Sequence, residues 1–120
     1  FLPMYINQPL FSDVEMFLRG KGFVFHRFAP LTSRIVSPMI IDDDIYRGLS
    51  QMFWADAVFI RDFTKLSRLS PEKLLKFSII LHDIYESYDL VLRILMAHDD
   101  QTATNYAELY LKELERMANE

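Results

Sequence analysis

Apolar residues run along this chain in three rhythms, and each rhythm predicts a different element. At Ala57-Val58-Phe59-Ile60 they stand at consecutive positions, which fits neither a period of two nor one of 3.6. A short unbroken run rich in β-branched and aromatic residues predicts a strand buried on both faces, inside a larger sheet. The stretch that holds it, 51–62, carries the sole Trp at position 54 and ends on Arg61-Asp62. The second rhythm is helical. Ser12 opens it with a capping box to Glu15, Phe11 and Met16 are spaced as a hydrophobic staple, and Val14, Phe17 and Leu18 form the inward stripe. Gly20-Lys21-Gly22 stops that helix, and 23–28 follows as a strand. Before it, Phe1-Leu2-Pro3-Met4-Tyr5 reads as the end of a strand and Asn7-Gln8-Pro9 as a turn, so the order is that of an α/β crossover.

The third rhythm is no rhythm at all. From 29 to 48, Pro30, Pro38 and Asp42-Asp43-Asp44 predict a long irregular segment. Beyond 64 the chain is helical again. Ser70 is an N-cap with Pro71 at the first helical position. Leu74, Phe77, Leu81 and Ile84 make one stripe, and Leu75, Ile79 and Ile80 widen it, as in a helix packed on several sides. A break at Ser87-Tyr88-Asp89 leads to a second helix over about 90–98, ended by Asp99-Asp100-Gln101. Thr102 caps a third, with Ala103, Tyr106, Ala107, Tyr110, Leu111, Leu114 and Met117 on its apolar face. The expected organisation is 1–64 as a sheet-bearing part and 65–120 as a three-helix extension.

Composition narrows the function classes. The chain has 120 residues, 51% hydrophobic and 25% charged, which excludes disorder and allows a core of its own. A net charge of −4 without a Lys/Arg cluster argues against nucleic acid or an anionic membrane as partner. The absence of cysteine excludes disulfides, thiolate metal sites and a Cys nucleophile. No apolar run approaches the ~20 residues of a membrane span, and no signal peptide is visible, so the expected location is cytoplasmic. Three glycines leave no room for a glycine-rich phosphate loop. The start at Phe1, within a strand, reads as that of a fragment.

Candidate chemistry is sparse. The order His26, His82-Asp83, Asp99-Asp100 resembles the ligand order of HD-type phosphohydrolases, but neighbours on a helix point ~100° apart, and a surface His and Asp is the expected reading. Asp42-Asp43-Asp44 lacks the alternating spacing and the glycine of a calcium loop, and is expected to be a solvated acidic turn. Ten Phe, six Tyr and one Trp are expected in cores and helix seams. No G-x-S-x-G, Walker or G-x-G-x-x-G sequence occurs.

One family resemblance supplies more. Gln8-Pro9-Leu10-Phe11-Ser12-Asp13-Val14-Glu15-Met16-Phe17-Leu18-Arg19-Gly20-Lys21-Gly22-Phe23 is similar to a segment near the end of FkbM-type S-adenosylmethionine-dependent methyltransferases. The stretch 51–62 resembles a second segment of those proteins, and Ser70-Pro71-Glu72-Lys73-Leu74-Leu75-Lys76 resembles the helix after it. The resemblance implies the C-terminal portion of a Rossmann-like methyltransferase sheet, about three strands and a crossover helix, followed by a three-helix extension. In it 51–62 would be the antiparallel seventh strand. S-adenosylmethionine is then the cofactor of the parent enzyme, but the strand and glycine-rich turn that hold it in the family have no counterpart in this chain. No catalytic residue carries over, and a small molecule or sugar is the implied methyl acceptor. Ligands of open α/β sheets sit beyond the carboxyl ends of the strands, which points to Tyr5, Asn7 and Gln8 as acceptor contacts.

A second expectation concerns assembly. The apolar excess on the helices predicts a homo-oligomer, and the alternative to an enzyme fragment is a helical interaction module. An open first strand would equally favour a dimer, with Phe1, Tyr5, Phe25 and Phe59 near the covered surface.

Overall fold

A computed structural model describes residues 5–34, 36–44 and 46–120, with the side chains of Pro30, Leu31 and Thr32 left aside. The chain divides into two compact units, Phe1–Asp62 and Phe63–Glu120. Its class is mixed α/β, with a two-stranded antiparallel sheet and four helices among the described residues.

In the first unit helix α1 (Phe11–Gly20) leads into strand β1 (Phe23–Ser33), which pairs antiparallel with β2 (Met52–Arg61). The pairing runs from Phe23 opposite Arg61 to Ser33 opposite Met52, with three register irregularities on the way. Between α1 and β1 the chain reverses on Gly22, whose φ of +89° is one that L side chains rarely adopt. No three-stranded parallel sheet is present among the described residues, and the first expected strand, save Tyr5, lies outside them.

The start of α1 differs from expectation by two residues. The helix begins at Phe11, and it is the Asp13 carboxylate, not Glu15, that accepts from a cap amide, Leu10 N, at 2.9 Å. Glu15 instead pairs with Arg19 one turn on. Phe11 turns inward, while Met16 and, from the expected inward stripe, Val14 and Phe17 are exposed. The Phe11–Met16 staple is therefore not made. Phe11 packs edge-on to Phe25 at 5.2 Å between ring centroids, and lies 5.4 Å from Phe28 and 6.2 Å from Phe59. Phe25 and Phe59, expected at a surface left for a partner, are thus the floor beneath α1.

β2 is not buried on both faces. Only Ile60 reaches full burial, while Trp54, Asp56 and Ala57 are exposed. Two strands and one helix cover a single face, and the unbroken apolar run cannot by itself supply a second layer.

The loop 34–51 is irregular, as its prolines and acids imply. Asp42 pairs with Arg47, Asp44 closes a turn onto Ile41, and Asp42 and Asp43 both have positive φ. It is tied to the sheet through Arg34, whose guanidinium lies 4.7 Å from the Trp54 ring and 5.6 Å from that of Tyr46.

The second unit opens with a 3-10 turn, Leu66–Arg68, followed by α2 (Pro71–Asp83), α3 (Tyr88–Thr102) and α4 (Tyr106–Ala118). The Ser70 hydroxyl accepts from Lys73 N at 3.3 Å, and Pro71 stands at the first helical position. Leu66, Leu74, Leu81, Val91, Ile94 and Leu95 make the core, with Leu74 and Ile94 wholly buried. Ile84 of the expected stripe is left outside it.

α3 runs four residues past its expected end, so Thr102 is its last residue rather than the next cap. The polar run did not stop the helix because Asp99 serves its neighbour. The Asp99 carboxylate accepts from Ala107 N at 2.8 Å, Tyr106 N at 3.1 Å and the Thr104 hydroxyl at 2.6 Å. It thereby caps α4, whose own preceding residue, Asn105, makes no side-chain cap. Burial alone would raise the Asp99 carboxyl, but these bonds, with the neighbouring His98, hold it below 3.8.

Candidate functional site

In the first unit the start of α1 and β2 enclose a cavity of about 370 Å³. Leu10, Phe11, Val14 and Leu18 line it from the helix side. Phe28 of β1 and residues 53–57 and Phe59 of β2 line it from the sheet. The size suits a small molecule, and the wall is mostly apolar. Gln8 and Asp56 bring the polar side chains.

The three expected acceptor contacts sit in one tight turn. Gln8 N donates to Tyr5 O at 3.2 Å, and Tyr5 N donates to Gln8 Oε1 at 3.1 Å. Asn7, between them, takes a φ of 62°, a left-handed conformation that Asn tolerates better than most residues. Of the three only Gln8 lines the cavity. Tyr5 points to solvent at 78% exposure, and Asn7 is exposed too.

Two residues on the cavity wall were not singled out from sequence. Trp54 presents its ring to Arg34 and also lines the cavity. Asp56 lines it with an exposed carboxylate that forms no hydrogen bond or ion pair among the described residues. The signal was a lone acid inside an apolar strand, where a charge needs a reason to stand.

The other candidates are dispersed. His26 lies on β1, whereas His82 and Asp83 end α2. Among the described residues no group of three or more His, Cys, Asp or Glu is placed to hold a metal ion. His82 has a different partner, since its Nδ1 lies 2.9 Å from the Tyr110 hydroxyl of α4. His98 is buried and stacks on Tyr106 at 5.1 Å between centroids and 10° between planes. No helix among the described residues is long and apolar enough to cross a membrane.

S-adenosylmethionine would need a strand-to-helix glycine turn near an acid that can bind its ribose. Gly20 and Gly22 instead lie where a helix passes into a strand. Gly48 is closed off by Ser33, whose Oγ would stand 2.0 Å from an added Cβ. The described residues do not fit the donor.

Comparison with protein-family models, with curated proteins and with solved structures finds no match to this chain.

Proposed function

We propose that this chain is the C-terminal portion of an FkbM-type methyltransferase that transfers a methyl group to an oxygen, and that α1 and β2 form one wall of its acceptor site. In this reading β1 and β2 are the last two strands of a Rossmann-like sheet. The observation that carries it is a convergence: two of the segments bearing the family resemblance, 8–23 and 51–62, line the same cavity. The antiparallel pairing of β2 with the strand after α1 is also what the resemblance implies.

The residues present suit the acceptor rather than the donor. Phe11, Phe28 and Phe59 offer an apolar bed, Gln8 an amide for a hydroxyl, and Asp56 a carboxylate able to take the hydroxyl proton. Holding that oxygen in line for attack is the contribution this wall makes. The test is methyl transfer by the chain joined to its upstream coding sequence, with labelled donor and a set of hydroxylated small molecules and sugars. Gln8→Ala is expected to raise the acceptor KM, with smaller effects for Tyr5→Ala and Asn7→Ala, and Asp56→Asn to lower kcat about 100-fold. Unchanged kinetics in Gln8→Ala and Asp56→Asn would remove the site, and no transfer to any acceptor would remove the reading.

A second reading, assembly through the helical unit, rests on Ile80 and Ile84. Ile80 is about half exposed, on the flank of α2 turned away from its buried residues, and Ile84, just past the helix end, is exposed as well. Sedimentation equilibrium checks it, because a strict monomer at micromolar concentration excludes this role.

A further inference from the structure

The helical unit holds a second cavity, a groove of about 450 Å³, which the methyl-transfer reading does not use. Leu75 and Ile79 of α2 line it on one side and Leu114 and Met117 of α4 on another, with the buried Val91 and Leu95 of α3 beneath. α3 packs against both neighbours, so α2 and α4 flank it with the groove between them.

Polar groups converge at one place in this apolar lining. His82 and Tyr110 reach across from α2 and α4 to meet at 2.9 Å. The Tyr88 ring tilts against His82 at 5.3 Å between centroids, and the Tyr110 ring stands edge-on to it at 5.6 Å. Burial, and then the proximity of Tyr88, raise the Tyr110 hydroxyl above 10, so it stays a neutral phenol. Two carboxylates line the groove. Glu113 is occupied, accepting from Arg116 Nε at 3.1 Å through both oxygens. Asp83 has no cation or hydrogen-bond donor among the described residues.

We propose that this groove binds an organic cation with an apolar body, an alkyl- or arylammonium, whose chain lies on Leu75, Ile79, Leu95 and Leu114 and whose head stands by Asp83 and the His82–Tyr110 pair. The volume falls in the range of small-molecule sites. An apolar lining with a single uncompensated carboxylate repels a fatty acid, and offers an ammonium a charge that a neutral lipid can meet only with a hydrogen bond. Aromatic rings beside a carboxylate are the surroundings an ammonium favours, because ring faces carry negative charge. The sign of the unit agrees, since 63–120 holds more acidic than basic residues.

The probe is decyltrimethylammonium below its micelle concentration, titrated calorimetrically into the full chain, with decanoate and decanol as controls. The cation is expected to bind at least about tenfold more tightly than decanoate. Asp83→Asn, at an exposed position, is expected to bring the cation to within about threefold of decanol while leaving the thermal midpoint unchanged. Leu114→Trp, which fills the groove, is expected to abolish binding of all three, with helicity checked by circular dichroism. Methyl resonances of Met117 and Ile79 should shift on binding, which keeps the test open should the Trp variant misfold. Equal affinity for cation and anion, undiminished cation binding in Asp83→Asn, or shifts confined to other methyls would overturn the proposal. Cation binding that weakens as protein concentration rises would overturn it in favour of a second copy of the chain.

Discussion

The two units hold themselves together in different ways. In the helical unit six apolar side chains are buried and two of them are wholly inaccessible, whereas in the α1–β1–β2 unit Ile60 alone is buried among the described residues. The first unit relies instead on aromatic rings, with Phe11, Phe25, Phe28 and Phe59 in mutual contact but each only half covered. The difference teaches that apolar content does not measure core. α2 and α4 close around α3, while among the described residues a two-stranded ribbon with one helix has a single covered face.

The sharpest way to test this contrast is truncation in each unit. Leu74→Ala or Ile94→Ala should cost roughly 2–5 kcal/mol, the range for fully buried aliphatic side chains. Urea unfolding followed by helical circular dichroism reads that loss, and a cost below about 1 kcal/mol would contradict the core assignment. Phe11→Ala should cost less, about 2–3 kcal/mol, because the ring it removes is only half buried. The fluorescence of Trp54, the sole Trp, reports the first unit by itself. Loss of helical signal in step with Trp54 fluorescence would mean that the units do not unfold independently.

Asp99 gives a smaller and pH-dependent effect. Asp99→Asn should lower the stability of the helical unit by about 1 kcal/mol at neutral pH. The carboxyl is depressed in the folded state, so its contribution is fully present above the unfolded value of ~3.9 and is lost as pH falls through the folded one. The wild-type helical unit should therefore lose stability below pH ~4 more steeply than Asp99→Asn, and parallel curves would rule out the capping role. An effect of similar size is expected for Gly22→Ala. Nothing lies within 4 Å of an added Cβ, so the expected cost of about 1 kcal/mol comes from the positive φ alone.

Much of the helical unit could be read from the chain because its signals are local. Ser70-Pro71 marks a start, and Leu74 and Leu81 recur on one face whatever lies around them. The end of α3 is not legible locally, because Asp99 caps a helix seven residues away, a partnership that no local pattern records. The start of α1 failed for a related reason: Ser12 and Asp13 are both capping residues, and the packing of Phe11 on Phe25 decides between them. The double burial expected of β2 was a statement about neighbours, which a single strand's residues cannot carry. Of the candidate site, Gln8 was legible as a turn residue. Trp54 and Asp56 were not, because their relation to α1 depends on how β2 pairs with β1. The His82–Tyr110 contact, between residues 28 apart, was equally hidden.

The register irregularities of the β1–β2 ribbon bear on how this chain avoids its own kind. Each strand has one ladder partner among the described residues, and strand edges of a two-stranded ribbon are where further extended segments can pair. Shifts fall between Phe25 and Arg27, between Phe28 and Leu31, and between Thr32 and Ser33. No regular stretch of β1 is then longer than the three residues Phe23, Val24 and Phe25. Each irregularity bends and twists the strand and breaks the even spacing that a flat cross-β stack needs. A ribbon rich in Phe is in this way a poor seed for fibrils.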